Sequence, residues 1–178
     1  MNDHVIIGGL SGPEVLEVIG PLSAVLIDCI DGGASVSFMA PLPRERAEAF
    51  WRDVAVGVAA GERLLLVARE RATGDIVGTV QVVLGQPENQ PHRADVAKML
   101  VHRRFRNRGV GATLMRAAED AARSAGKTLL VLDTADDVAM RLYRRLGWQE
   151  AGTIPGYALW PEGGFCDTTF FYKRISGA

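Results

Sequence analysis

The stretch Leu100-Val-His-Arg-Arg-Phe-Arg-Asn-Arg-Gly-Val-Gly-Ala-Thr-Leu-Met115 decides the reading of this chain. An apolar strand over 94–101 runs into a basic turn, and glycines at 109 and 111 open a helix over 109–124 with an apolar stripe of Val110, Leu114, Ala117, Ala118, Ala121 and Ala125. The first N–H groups of a helix have no partner inside it, and the helix dipole puts partial positive charge there. Glycine lets the backbone approach a ligand closely or take a positive φ. Arg103, Arg104, Arg106 and Arg108 add cations at the same corner. The combination predicts a seat for a diphosphate.

Outward from that corner the pattern alternates between helix and strand. A short apolar run over 4–10 predicts an edge strand. The helical period of Val15, Leu16, Ile19, Leu22, Leu26 and Ile30 covers 14–31, with Pro21 predicting a kink or two helices. A helix starts near Pro43, buries Ala47, Phe50, Trp51, Val54 and Val58, and stops at Gly61. Strands over 63–69 and 76–84 flank a turn at 72–75. In the strand 94–101, Ala94, Val96 and Leu100 are expected on one side and Asp95, Ala97, Met99 and Val101 on the other. The run 128–133 reads as a strand buried on both faces, and a helix over 136–146 ends at Gly147. Strands over 148–154 and 168–175 follow, separated by a turn-rich loop over 155–164. The order predicts an α/β (α+β) domain spanning 1–178, with a central mixed, mostly antiparallel sheet of about seven strands and helices on both faces.

Composition narrows the function classes. The 178 residues carry 20 Lys+Arg against 21 Asp+Glu, a net charge of −1, too balanced for a general nucleic-acid or membrane-surface binder. No apolar run approaches the ~18–20 residues of a membrane span, and the first residues do not read as a secretory leader, so a cytoplasmic location is expected. Two cysteines, Cys29 and Cys166, give no disulfide framework. His4, His92 and His102 lack ligand spacing, and no metal site is expected. A dinucleotide fingerprint fails because Leu114 stands where its third glycine belongs. Gly126-Lys127-Thr128 mimics the end of a nucleotide P-loop, but Ala121 replaces its first glycine and the segment leads into a strand.

Arg106-Asn-Arg-Gly109-Val-Gly111 resembles the Arg/Gln-x-x-Gly-x-Gly/Ala signature of the GNAT superfamily of acetyl-CoA-dependent N-acetyltransferases. Leu142-Tyr143-Arg-Arg-Leu-Gly147-Trp148 resembles that family's Leu-Tyr-x-x-x-Gly-Phe segment. Over most of the chain, segments including Gly32 to Met39, Asn89 to Val101, Ile154 to Tyr157 and Asp167 to Lys173 resemble the tabtoxin-resistance branch. The resemblance implies acetyl-CoA as co-substrate and a small-molecule amine, amino-acid-like or antimetabolite in kind, as acceptor; a homodimer is plausible within the superfamily. It implies coenzyme contacts from Leu100, Val101, Arg106, Asn107, Arg108, Gly109, Val110, Gly111, Ala112 and Thr113. Tyr143 would donate a proton or hydrogen bond to the coenzyme sulfur. Acetylation also needs a neutral amine, and an alkyl amine with pKa of ~10 is mostly protonated at neutral pH. Asp95 and Asp133 are the candidate bases, directly or through water, and could also hold a cationic acceptor. Asp stands at 95 where the branch resembles a Glu-bearing strand, which shortens the reach by one methylene. Phe38, Tyr157, Trp160 and Asp167 are expected to shape the acceptor pocket. Asp136 stands seven residues before Tyr143, where the superfamily often has a coenzyme-contacting Asn. The competing readings are a non-catalytic acyl-CoA-binding module and an acetyltransferase acting on a protein or peptide amine.

Overall fold

The structure, a computed structural model, describes residues 4–175. Its elements are β1 (Val5–Leu10), α1 (Gly12–Glu17), α2 (Ile19–Asp31), α3 (Arg44–Ala59), β2 (Arg63–Glu70), β3 (Ile76–Val83), β4 (Arg93–Val101), α4 (Val110–Ser124), β5 (Leu129–Thr134), α5 (Asp137–Arg145), β6 (Gln149–Leu159) and β7 (Phe165–Arg174), with one 3₁₀ turn at Arg103–Phe105. Seven strands form one sheet in the order β1-β2-β3-β4-β5-β7-β6. Only β4 and β5 run parallel; every other neighbouring pair is antiparallel.

Each face of the sheet buries its own core. On one face Leu22, Leu26 and Ile30 of α2 and Trp51 and Val54 of α3 pack against Leu65, Val67 and Ile76. On the other, Leu114, Met115, Ala118 and Ala122 of α4 and Tyr143 of α5 pack against Val80, Val82, Val96, Leu130, Leu132 and Phe171. Helices on both faces of a seven-stranded, mostly antiparallel sheet match the expectation. Gly78 permits the close fit of α4 and β4 over β3. A Cβ there would stand 2.8 Å from the Leu100 carbonyl oxygen and 3.0 Å from Leu114 Cδ1.

Three local expectations are corrected. The period over 14–31 divides into two helices, one of the two expected outcomes, but the break falls at Val18, three residues before Pro21. Pro21 falls in the first turn of α2, where a missing N–H leaves no intrahelical bond unmade. In β4, Leu100 crosses to the face opposite Ala94 and Val96. Thr79 pairs with Leu100 and Gln81 with Ala97, so β4 carries one residue more than β3 over that span. Lys98 sits in this bulge at φ +48°, and the Thr79 hydroxyl donates to its carbonyl at 3.0 Å. Finally, β6 continues through Pro155 to Leu159 with an irregular register between Ile154 and Ala158, which shortens the expected loop to a hairpin tip. That tip is fastened to the segment after α2: Ser35 Oγ donates to the Leu159 carbonyl (2.9 Å), and the Ala40 amide donates to that of Pro161 (2.8 Å).

Candidate active site

The two parallel strands are joined only where Arg93–Asp95 meets Leu129–Val131. Past that point β4 stays with β3 while β5 stays with β7, so the sheet opens into a wedge. Two helices start just beyond the strand ends, and their N-termini differ. The Asp136 carboxylate caps α5, accepting from the amides of Val138 (2.6 Å) and Ala139 (3.2 Å). Gly109 is the N-cap of α4 at φ +76° and supplies no side chain. The first amide to reach back is that of Thr113, donating to the Gly109 carbonyl at 3.1 Å. The helix therefore makes no use of the N–H groups of Val110, Gly111 and Ala112.

The turn before α4 is shaped for close approach. Asn107 adopts φ +61°, a region that asparagine tolerates better than most residues. A Cβ on Gly111 would stand 3.2 Å from Leu142 Cδ2 and 3.7 Å from Met99 Sδ, so only hydrogen fits easily between α4 and α5. Arg106 Nε donates to the Val101 carbonyl at 3.2 Å, and the Arg108 guanidinium lies over the Phe105 ring at 5.2 Å. Arg103 departs from the expectation of a phosphate-facing cation: its backbone amide and Nε both donate to Asp28, at 2.8 and 3.0 Å. Val101 is half-buried, as are Ala112 and Thr113. Leu100 is buried in the α2–α3 core, which leaves its backbone as the part that can meet a ligand. Uncapped amides, glycine at the contact and a wedge-shaped gap fit a diphosphate followed by a slender pantetheine arm. A separate recess of about 490 Å³, between α2 and the β2–β3 turn, touches His102, Arg104 and Phe105 from behind. Neither candidate carboxylate nor Tyr143 lines it.

Tyr143 projects from α5 into the core beside the wedge, 5% exposed, with Phe171 at 5.8 Å and Trp148 at 6.1 Å between ring centroids. Burial pushes its phenol pKa well above the ordinary value, and the charges of Asp136 and Asp133 push the same way. Burial thus favours the neutral phenol, which has a hydrogen to offer.

Asp95 and Asp133 both lie on the α1–α3 face of the sheet, since Ala94, Val96, Leu130 and Leu132 point the other way. Their situations differ. Arg93 and Gln86 hold the Asp95 carboxylate, the Gln86 amide donating at 3.0 Å and Arg93 forming an ion pair. Asp133, at the end of β5, remains open to solvent. The partial desolvation of the cleft raises its pKa; Lys98 counteracts this and the Asp95 charge adds to it.

Phe38 packs edge-on against Phe50 of α3 at 5.4 Å. Tyr157 meets Phe170 at 5.4 Å and is about half exposed, and Trp160 is 38% exposed. Asp167 accepts from the Gly156 amide at 2.9 Å and so braces β6 against β7. Lys98, which sequence reasoning passed over, stands on the same wall as Asp133. Its ammonium is 3.1 Å from Ser37 Oγ and 5.7 Å from the centre of the Phe50 ring. A single charged residue inside the apolar half of a strand was the available signal. Among the described residues no group of three or more His, Cys, Asp or Glu side chains could hold a metal ion, and no helix is long and apolar enough to cross a membrane.

Comparisons with known proteins agree with this geometry. Residues 34–148 match the model of the acetyltransferase (GNAT) family. The uncharacterized N-acetyltransferase of the hisH–hisA intergenic region of Azospirillum brasilense is 30% identical over 145 residues, covering 79% of this chain and 83% of the relative. An N-acetyltransferase from Staphylococcus aureus Mu50 superposes with a TM-score of 0.79 at 15% identity, covering 98% of this chain and 100% of that one. A GNAT superfamily phosphinothricin acetyltransferase from Sinorhizobium meliloti, solved with AcCoA, gives a TM-score of 0.78 at 14% identity, covering 100% of this chain and 91% of that one. With its wedge between parallel strands and its uncapped, glycine-led helix, the chain belongs to the GNAT family and is an acetyl-CoA-dependent N-acetyltransferase.

Proposed function

We propose that the acceptor is a small-molecule amine and that transfer occurs by direct attack with both substrates bound. The observation that supports this reading is the pairing at one wedge of an open carboxylate, Asp133 at the end of β5, with the buried phenol of Tyr143. Acetyl-CoA supplies an acetyl group activated as a thioester. Asp133 takes the proton from the incoming ammonium, directly or through a water, because its site is tuned toward the protonated form. Asp95, engaged by Arg93 and Gln86, contributes negative potential and shapes the wall. The bulged backbone of β4 offers amides toward the thioester oxygen, where negative charge develops. Tyr143 donates to the departing sulfur.

Release of coenzyme A, followed with a thiol reagent against a panel of small amines and of peptides with free N-termini, tests this reading. The expected result is amine-dependent release with small acceptors and little with peptides. Tight acetyl-CoA binding with no release from any amine would leave a binding module. Release with peptides alone would move the acceptor to a protein amine.

A further inference from the structure

Lys98 sits at the bulge where β4 carries one residue more than β3. Its backbone occupies the left-handed region at φ +48°, where residues other than glycine are uncommon. The Thr79 hydroxyl fixes that bulge from the neighbouring strand. The bulge turns the side chain onto the α3 face, where its ammonium meets a neutral hydroxyl on Ser37 and the Phe50 ring. Among the described residues no carboxylate lies within ion-pair distance of it; Asp133 acts on it only from farther away. Desolvation pulls the Lys98 pKa down, and the Arg63 guanidinium adds like-charge repulsion. On the same face Arg63 donates to Gln81 Oε1 at 3.0 Å, while Arg63 Nε and Gln81 Nε2 remain buried without a partner. Gln81 itself is 1% exposed. A half-buried ammonium that meets only a neutral hydroxyl and an aromatic ring would gain from a ligand that supplies an anion.

We infer that Lys98 is a specificity-determining residue that binds an anionic group, a carboxylate or its phosphonate analogue, carried by the same acceptor whose amine faces Asp133. The wall then presents a negative and a positive pole to a zwitterion, with Asp133 at the ammonium end and Lys98 at the anionic end. Phe38 and Phe50 flank the carbon skeleton between them. Simple amines lacking the anion would leave Lys98 uncompensated and bind poorly. This inference rests on the small-molecule amine reading above and sharpens it to amino-acid-like acceptors.

The test compares matched acceptors: free amino acids, their carboxamides and the corresponding decarboxylated amines. In the wild type kcat/KM is expected to favour the free acid by about ten- to a hundredfold, the worth of one hydrogen bond to a charged group. In Lys98→Gln the acid-to-amide ratio is expected to fall toward one, chiefly through KM for the acid, and Lys98→Arg should restore part of it. Calorimetric titration of the coenzyme-loaded protein with N-acetylglycine and N-acetylglycinamide gives a readout independent of turnover, with the same loss of preference expected in Lys98→Gln. Equal use of acid and amide by the wild type overturns the inference and leaves the transferase reading standing. An equal loss with both acceptors in Lys98→Gln also overturns it, because it shows a merely structural lysine. Absence of release with every amine removes both readings together.

Discussion

Glu119 ties the helix that carries the coenzyme seat to the elements behind Tyr143, and its removal tests whether the site is held as the structure indicates. Its two oxygens accept from Trp148 Nε1 at 2.9 Å and from Lys173 Nζ at 2.6 Å, and Lys173 also donates to the Leu146 carbonyl at 2.8 Å. One buried carboxylate thus joins α4, the end of α5, the start of β6 and β7. The side chains of Glu119 and Lys173 are 9% and 22% exposed. Breaking a buried pair from one side costs about 3–5 kcal/mol, because the remaining charge is stranded. Lys173 keeps a carbonyl partner and some water, which lowers its share. The buried indole N–H of Trp148 loses its acceptor, Glu119 Oε1, which adds about 1–3 kcal/mol. We expect Glu119→Leu to cost about 4 kcal/mol in urea unfolding followed by tryptophan fluorescence. At ~2–4 °C per kcal/mol for a chain of this size, Tm should fall by about 8–16 °C. Glu119→Gln keeps one acceptor and should lose about half as much. Glu119→Leu combined with Lys173→Met should be less destabilised than Glu119→Leu alone, since no charge is stranded. A Glu119→Leu protein within about 1 kcal/mol of wild type, the range of an ordinary surface substitution, would refute the reasoning.

Two further outcomes concern the chemistry. Tyr143→Phe should lower kcat by about a hundredfold or more, the scale of general acid catalysis, while acetyl-CoA affinity measured by calorimetry changes little; unchanged turnover would remove the proton-donor role. Asp133→Asn should abolish the acid limb of the pH–rate profile, which in the wild type rises through a carboxyl pKa above the ordinary range. The same raised pKa sets the sign for stability. The folded state holds this proton more tightly than the unfolded chain, so the contribution is fully present below the unfolded pKa. It is lost as pH rises through the folded value. Asp133→Asn should therefore raise Tm at neutral pH and lose that advantage at low pH, and an equal offset at both would contradict the assignment.

Much of this was legible because local chemistry and global fold agree. Gly109 and Gly111 mark a helix start that needs no side-chain cap, and the period-two runs place β2, β3 and β4 in order. The break at Val18 was hidden because the apolar period continues across it, while the Val18 backbone itself leaves the helical conformation at φ −114°, ψ 20°. The bulge at Lys98 was hidden for a related reason. Strict alternation is the sequence rule for a strand, and an extra residue becomes visible only against its partner β3. A salt bridge of Asp95 with nearby Arg93 is legible from their spacing, but its second partner Gln86 lies nine residues upstream, across the loop between β3 and β4, and sequence distance gives no sign of that contact. That Asp136 and not Asp133 caps the helix became visible only once the start of α5 was fixed at Asp137.

The most direct measurement compares binding of acetyl-CoA with that of S-acetylpantetheine, which lacks the diphosphate, in the wild type and in Gly111→Val. If the uncapped amides of α4 hold the diphosphate, acetyl-CoA should bind the wild type at least about a hundredfold tighter, the lower bound for two hydrogen bonds to a charged group. A side chain at Gly111 should shrink that ratio, whatever it does to both affinities. Equal affinities for the two donors in the wild type, or a ratio left unchanged by the substitution, would contradict the placement of the coenzyme.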